Sequence, residues 1–161
     1  MALSEAFPRA VLNYQGTSYK RVVQKEVTDC SEAGRNGFGE ILVDNNCAKV
    51  LRATYVDSAQ QYAMTVGVAV LPTESAAEKV IGGMDVQNGV WFEALPGDGG
   101  SGAEEIHRSP GYGARANVGR YVIFSFAALS NGEKPPEELS GLTDWARKRI
   151  AQNVMQRART R

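Results

Sequence analysis

Residues 61–71 read QYAMTVGVAVL, and this stretch decides the fold class. Successive side chains of an extended chain point to opposite faces. Tyr62, Met64, Val66, Val68 and Val70 therefore share one face, and Ala63, Thr65, Gly67, Ala69 and Leu71 share the other. Both faces are apolar or small, which suits a central strand, and the small face would let a helix lie close to the sheet.

Working outward, the polar turn Asp57 to Gln60 joins this strand to a preceding one, Ala48 to Val56. Further upstream, Val11 to Tyr14, Gln15-Gly16 and Thr17 to Val23 form the pattern of a β-hairpin, with Gly16 supplying a positive φ. Between them, Asn36 is placed to cap a short helix whose apolar residues Phe38, Ile41 and Leu42 share a face, and Asn45-Asn46 can end it. Downstream, Thr73 is the expected N-cap of a helix to Ile81 that Gly82-Gly83 terminates. A short strand is predicted over Val90 to Leu95, then a hairpin of Tyr112 to Asn117 and Arg120 to Leu129. The last helix, about Leu142 to Ala158, carries the stripe Leu142, Trp145, Ala146, Ile150, Val154 and Ala158. The expected fold is one α+β domain over residues 1–161: a mostly antiparallel sheet with helices packed on one face, a two-layer sandwich.

Composition narrows the function. A chain of 161 residues can bury about 70% of the surface that its unfolded form exposes, so it needs neither metal nor disulfide to fold. Eighteen basic residues balance eighteen acidic ones. A chain that binds phosphate backbones wants a basic surplus, so nucleic acid is not the expected partner. No apolar run approaches the length needed to span a bilayer, and the N-terminal residues lack the features of a signal peptide. The expectation is either a cytoplasmic protein or the soluble part of a longer, anchored chain.

Candidate chemistry is sparse. The loop Gly97-Asp98-Gly99-Gly100-Ser101-Gly102 offers backbone N–H groups that could form an anion nest, but no Lys follows it as a phosphate loop requires. Ser101 with His107 could serve a hydrolase if an acid oriented the base, and a surface loop is the plainer reading. His107 is the only histidine and the cysteines lack metal-ligand spacing, so no metal and no cofactor is expected. Glu104-Glu105 and Glu137-Glu138 read as solvated charges. Trp91 and Phe92, adjacent on a predicted strand, would face opposite sides, so one of them is a candidate for an exposed binding or docking patch. Asp98, Ser101 and His107 complete the candidate binding residues. The last helix is rich in cations, among them Arg147, Lys148, Arg149, Arg157, Arg159 and Arg161. These suit the negative end of the helix dipole, and Arg147, Lys148, Arg157 and Arg159 are also candidates for contact with an anionic surface.

Cys30 and Cys47 lie seventeen positions apart. Spacing alone fits a disulfide and two buried free thiols equally well. Cys47 and the following AKVLRATY, residues 65–77 (TVGVAVLPTESAA), the opening hairpin around Gly16 and the closing amphipathic helix resemble extracytoplasmic domains of actinobacterial membrane proteins. They are similar in particular to the sensor domains of PknH-like Ser/Thr kinases and related lipoproteins. The resemblance implies a Cys30–Cys47 disulfide and a non-enzymatic sensor or binding domain at the cell envelope, tethered to the membrane by an anchor outside this chain. Its partner would be an envelope protein, a wall polymer or a small ligand. Those sensors have two disulfides where this chain has one possible pair, and no functional residue is carried over. The alternatives are a docking or assembly module and a small hydrolase built on the Gly97 to Gly102 loop.

Overall fold

The structure, a computed structural model, describes the backbone of residues 1–159 and the side chains of residues 1–157. Six strands form one antiparallel sheet: β1 (Val11–Tyr14), β2 (Thr17–Val27), β3 (Lys49–Asp57), β4 (Tyr62–Val70), β5 (Gly111–Val118) and β6 (Tyr121–Leu129), in the order β1-β2-β3-β4-β6-β5. Four helices pack against it: α1 (Leu3–Ala6), α2 (Phe38–Asp44), α3 (Glu74–Gly82) and α4 (Leu139–Arg159). This is the α+β class expected. The stretch that decided it, β4, is central and buried along nearly its whole length.

The apolar character of both faces of β4 has a consequence for the layers. The face bearing Met64, Val66 and Val68 is covered by α4 and α1, through Leu142, Ala146, Ile150, Val154 and Ala6. The small face of Ala63 and Ala69 is covered as well, by α2, α3 and the segment around Trp91 to Ala94. The long helix thus lies over the larger side chains. The small side chains receive aromatics instead: a Cβ on Gly67 would run into the Phe124 ring, and Phe92 stacks on that ring at 3.9 Å between centroids.

Local signals placed most ends correctly. Gln15 (φ 50°) and Gly16 (φ 79°) are both left-handed, as a two-residue hairpin turn requires. The Thr73 side chain caps α3 by accepting from the Ala76 N–H at 3.1 Å, and Asn46 (φ 60°) follows the end of α2.

Two expectations need correction. The N-cap position of α2 is Gly37, at φ 90°, and the Asn36 side chain instead donates to the Gly89 carbonyl at 3.1 Å. Val90 to Leu95 is not a strand; it has only isolated bridges, Asp85 to Val90 and Gly34 to Phe92. It crosses the sheet face, so its backbone bonds to side chains that stand up from the strands.

Those side chains are Arg52, Thr54 and Thr65. Arg52 Nη1 donates to the Glu93 carbonyl at 2.8 Å, Thr54 Oγ1 donates to the Leu95 carbonyl at 2.7 Å, and the Leu95 N–H donates to Thr65 Oγ1 at 3.2 Å. Because the Thr54 proton goes to Leu95, the 2.7 Å contact between the two hydroxyls must be donated by Thr65. The result is a closed ring of hydrogen bonds in a buried setting, where an unpaired polar group would cost about 1–3 kcal/mol.

Cys30 and Cys47 are joined in a disulfide with Cα atoms 6.2 Å apart. Cys30 opens the 3-10 turn after β2 and Cys47 follows α2. The bond therefore fixes α2 and its approach to the face on which Phe92 lies. Disulfides form and persist in oxidising, extracytoplasmic compartments. Among the described residues, no helix is long and apolar enough to cross a membrane.

Candidate functional site: a tyrosine-lined cleft

The positions singled out from sequence are mostly engaged in holding the fold together. Trp91 is 3% exposed and Phe92 1%, so neither forms a surface patch. Their predicted alternation fails because the segment is not a strand. It lies flat, with Phe92 between Phe38 and Phe124 and Trp91 against Gly113, where any Cβ would press on the indole.

The Gly97 to Gly102 loop is closed on itself. The Gly97 N–H donates to the Ala103 carbonyl and the Ser101 N–H to the Asp98 carbonyl, while the Gly102 N–H donates to Glu104 at 2.5 Å. The Gly102 N–H, followed by the Ser101 hydroxyl, holds the Glu104 carboxyl below its usual range. The loop is also tied to the β3–β4 turn by the Gln60 amide, which donates to the Gly100 carbonyl at 2.8 Å. These N–H groups point at the chain's own acceptors, which leaves no nest formed by them.

Ser101 donates to Glu104 at 3.2 Å and accepts from the Ala103 N–H, and no hydrogen bond joins it to His107 among the described residues. The His107 Nε2 accepts from the Arg108 guanidinium at 3.1 Å. Asp98 is exposed at the loop tip. The structure therefore does not assemble Ser101, His107 and Asp98 into one site.

The cations of α4 are engaged in a similar way. Arg147 and Lys148 both pair with Asp144, at 2.7 and 3.1 Å, and hold its carboxyl below the usual range. Arg157 pairs with Glu5 of α1 at 2.7 Å and donates to the Tyr121 hydroxyl at 3.0 Å. Lys148 remains well exposed. The side chain of Arg159 and residues 160–161 lie outside the described residues.

A recess that sequence reading did not find lies at one end of the sheet. Its volume is about 230 Å³, and its lining includes Tyr14, Gln15, Thr17, Tyr19, Tyr62 and Glu138. The fold brings these together through turns: the two-residue β1–β2 turn carries Gln15, β4 begins at Tyr62, and the chain leading into α4 supplies Pro136 and Glu138. Leu139 and Leu142 of α4 close the floor.

Each tyrosine is held by a separate contact. Tyr14 packs on Trp145 of α4 with ring centroids 5.1 Å apart. Its hydroxyl lies where a Cβ on Gly141 would come within 3.0 Å, so the helical glycine makes room for it. Tyr19 is buried on β2 and pairs across the sheet with Asp57. Tyr62 is positioned by Asp57, whose Oδ1 accepts from the Gln61 and Tyr62 N–H groups at 2.9 and 2.8 Å. Burial pushes the Tyr19 phenol up to about 12, helped by Asp57 and by the phenols of Tyr62 and Tyr14. It therefore stays neutral at any physiological pH.

Tyrosine offers a rigid apolar ring with a polar tip, which suits recognition more than bond making. The signal available in sequence was three tyrosines at the ends of different strands; nothing local says that those ends meet. Comparisons with protein-family models, curated proteins and solved structures give no match to this chain. The resemblance to actinobacterial sensor domains thus stands on the quoted residues alone.

Proposed function

We propose that this chain is a non-catalytic binding domain of the extracytoplasmic space, part of a cell-envelope protein tethered by an anchor outside this chain, and that it takes a small ligand in the tyrosine-lined cleft. The observation that carries the binding reading is the convergence of Tyr14, Tyr19 and Tyr62 on one recess of about 230 Å³. Pockets with aromatic walls and a few placed polar groups are the usual form of a small-molecule site, and this one is a little smaller than the roughly 300 Å³ at which such sites begin, which suits a compact ligand. The Cys30–Cys47 disulfide supports the compartment. The engagement of Ser101 with Glu104, and not with His107, favours binding over hydrolysis.

Titration of protein carrying isotope-labelled tyrosine rings tests this reading, using a panel of neutral, anionic and cationic small molecules followed by NMR. The expected result is at least one compound that shifts Tyr14, Tyr19 and Tyr62 together and saturates. A panel that moves none of the three would overturn the cleft as a binding site.

A further inference from the structure

We propose that the ligand of the tyrosine-lined cleft is a small organic cation of the quaternary-ammonium class. The inference rests on the binding reading above and goes beyond it by assigning the charge and shape of the ligand.

Three features carry it. The first is the wall of phenol rings. An aromatic face is negative above the ring plane, and clustered aromatic faces attract cations whose charge is spread over methyl groups. The second is the sign of the fixed charge. Glu138 lines the cleft and Asp57 sits beside Tyr19 across the sheet, while no Lys or Arg is among the lining residues described. An anionic ligand would find the Glu138 carboxylate and no counter-charge there, whereas a cation finds that carboxylate beside tyrosine rings.

The third is size and hydrogen bonding. A recess of about 230 Å³ matches a compact headgroup in size. A primary ammonium carries three donors that would each need an acceptor in place of water. A quaternary ammonium has none, so it can rest against the partly exposed Tyr14 and Tyr62 with Glu138 nearby and leave no donor unpaired. Tyr19, almost fully buried beneath them, keeps its proton, since burial and then Asp57 and the neighbouring phenols oppose ionisation.

Free choline and its neutral isostere 3,3-dimethylbutan-1-ol are the probes, read by the same tyrosine shifts. Choline is expected to saturate all three tyrosines, with the isostere at least tenfold weaker. Tyr62→Leu, which keeps bulk and removes the ring, should weaken choline by about tenfold. Glu138→Gln should weaken it by roughly threefold, as befits an exposed charge. Thr17→Trp, which fills the cleft from β2, should abolish binding; melting curves confirm that each variant is folded.

Phosphatidylcholine vesicles distinguish the sources of the headgroup. Co-sedimentation that Thr17→Trp abolishes identifies a lipid, and choline binding without co-sedimentation identifies a free amine. If the alcohol matches choline, the charge assignment fails while the cleft remains a binding site. If an anion in the panel binds and choline does not, the assignment fails in the same way. If nothing in the panel moves the tyrosines, both readings fall.

Discussion

Under α4 the sheet is sealed by a regular helix whose stripe of Leu142, Ala146, Ile150 and Val154 meets Met64, Val66 and Val68, and helix and strands satisfy their own backbones. The opposite face is sealed by short helices and by a segment with almost no regular structure. There the Glu93 carbonyl and both backbone groups of Leu95 are satisfied by side chains of Arg52, Thr54 and Thr65, the Glu93 N–H donates to the Ala33 carbonyl, and α2 is held by the Cys30–Cys47 bond. The difference shows what irregular chain needs in order to cover a sheet. Every backbone group it buries must find its own partner, either in a neighbouring loop, as Trp91 and Glu93 do with Arg35 and Ala33, or in a side chain rising from the strands. The cleft lies at the edge of the α4 face, where β1, β2 and the approach to α4 leave Tyr14, Tyr19 and Tyr62 around a gap.

The irregular face is most vulnerable at the stacked rings. Phe124→Ala removes the platform under Phe92 and leaves a cavity beneath the irregular segment, at an expected cost of about 4 kcal/mol in denaturant unfolding. Loss well under that would mean the segment does not depend on the stack.

Next in size is the disulfide. Cys30→Ala combined with Cys47→Ala should lower stability by about 3 kcal/mol, the loop-closure contribution for this spacing. The variant should still fold, because both core layers remain. The loss of amide protection should be concentrated in α2 and around Trp91 to Leu95, with α4 little changed; uniform loss across both faces would contradict the division drawn here.

Thr54→Val opens the buried ring. It leaves the Leu95 carbonyl without its 2.7 Å donor and the Thr65 hydroxyl without its acceptor, which should cost about 2 kcal/mol by the same unfolding measurement. A neutral effect would show that the ring contributes nothing beyond packing.

The smallest effect concerns pH. The Glu104 carboxyl is held below its ordinary value in the folded chain, so its contribution is present above the ordinary carboxylate range and is lost as pH falls through the lowered value. Hydrogen exchange of the Gly102 amide should stay protected through the pH range where ordinary glutamates protonate, then lose protection below it. Glu104→Gln should remove that dependence.

What could be read from the sequence was what is local. The Gly16 turn, the Thr73 cap, the two-faced apolar pattern of residues 62–70 and the stripe on α4 each depend on neighbours within a few positions. The segment from Val90 to Leu95 was misread because its partners lie far away in sequence: Thr65 is thirty positions from Leu95, and Arg52 and Thr54 are forty-one positions from their acceptors. Asn36 was misplaced as a cap for the same reason, since its partner is the Gly89 carbonyl. Arg157 looked available because Glu5, which engages it, is 152 positions away, whereas Asp144, which pairs with Arg147 and Lys148, lies within one turn of them on the same helix. The cleft was invisible because it exists only once two turns and a helix start are brought to one end of the sheet.

The disulfide is the most direct link between this architecture and its compartment. Protein recovered after export by its own native route, alkylated under denaturing conditions without reductant and digested, can be read by peptide mass. The account predicts no alkylated cysteine and a cross-linked peptide joining Cys30 to Cys47. Alkylation at both Cys30 and Cys47 would contradict it.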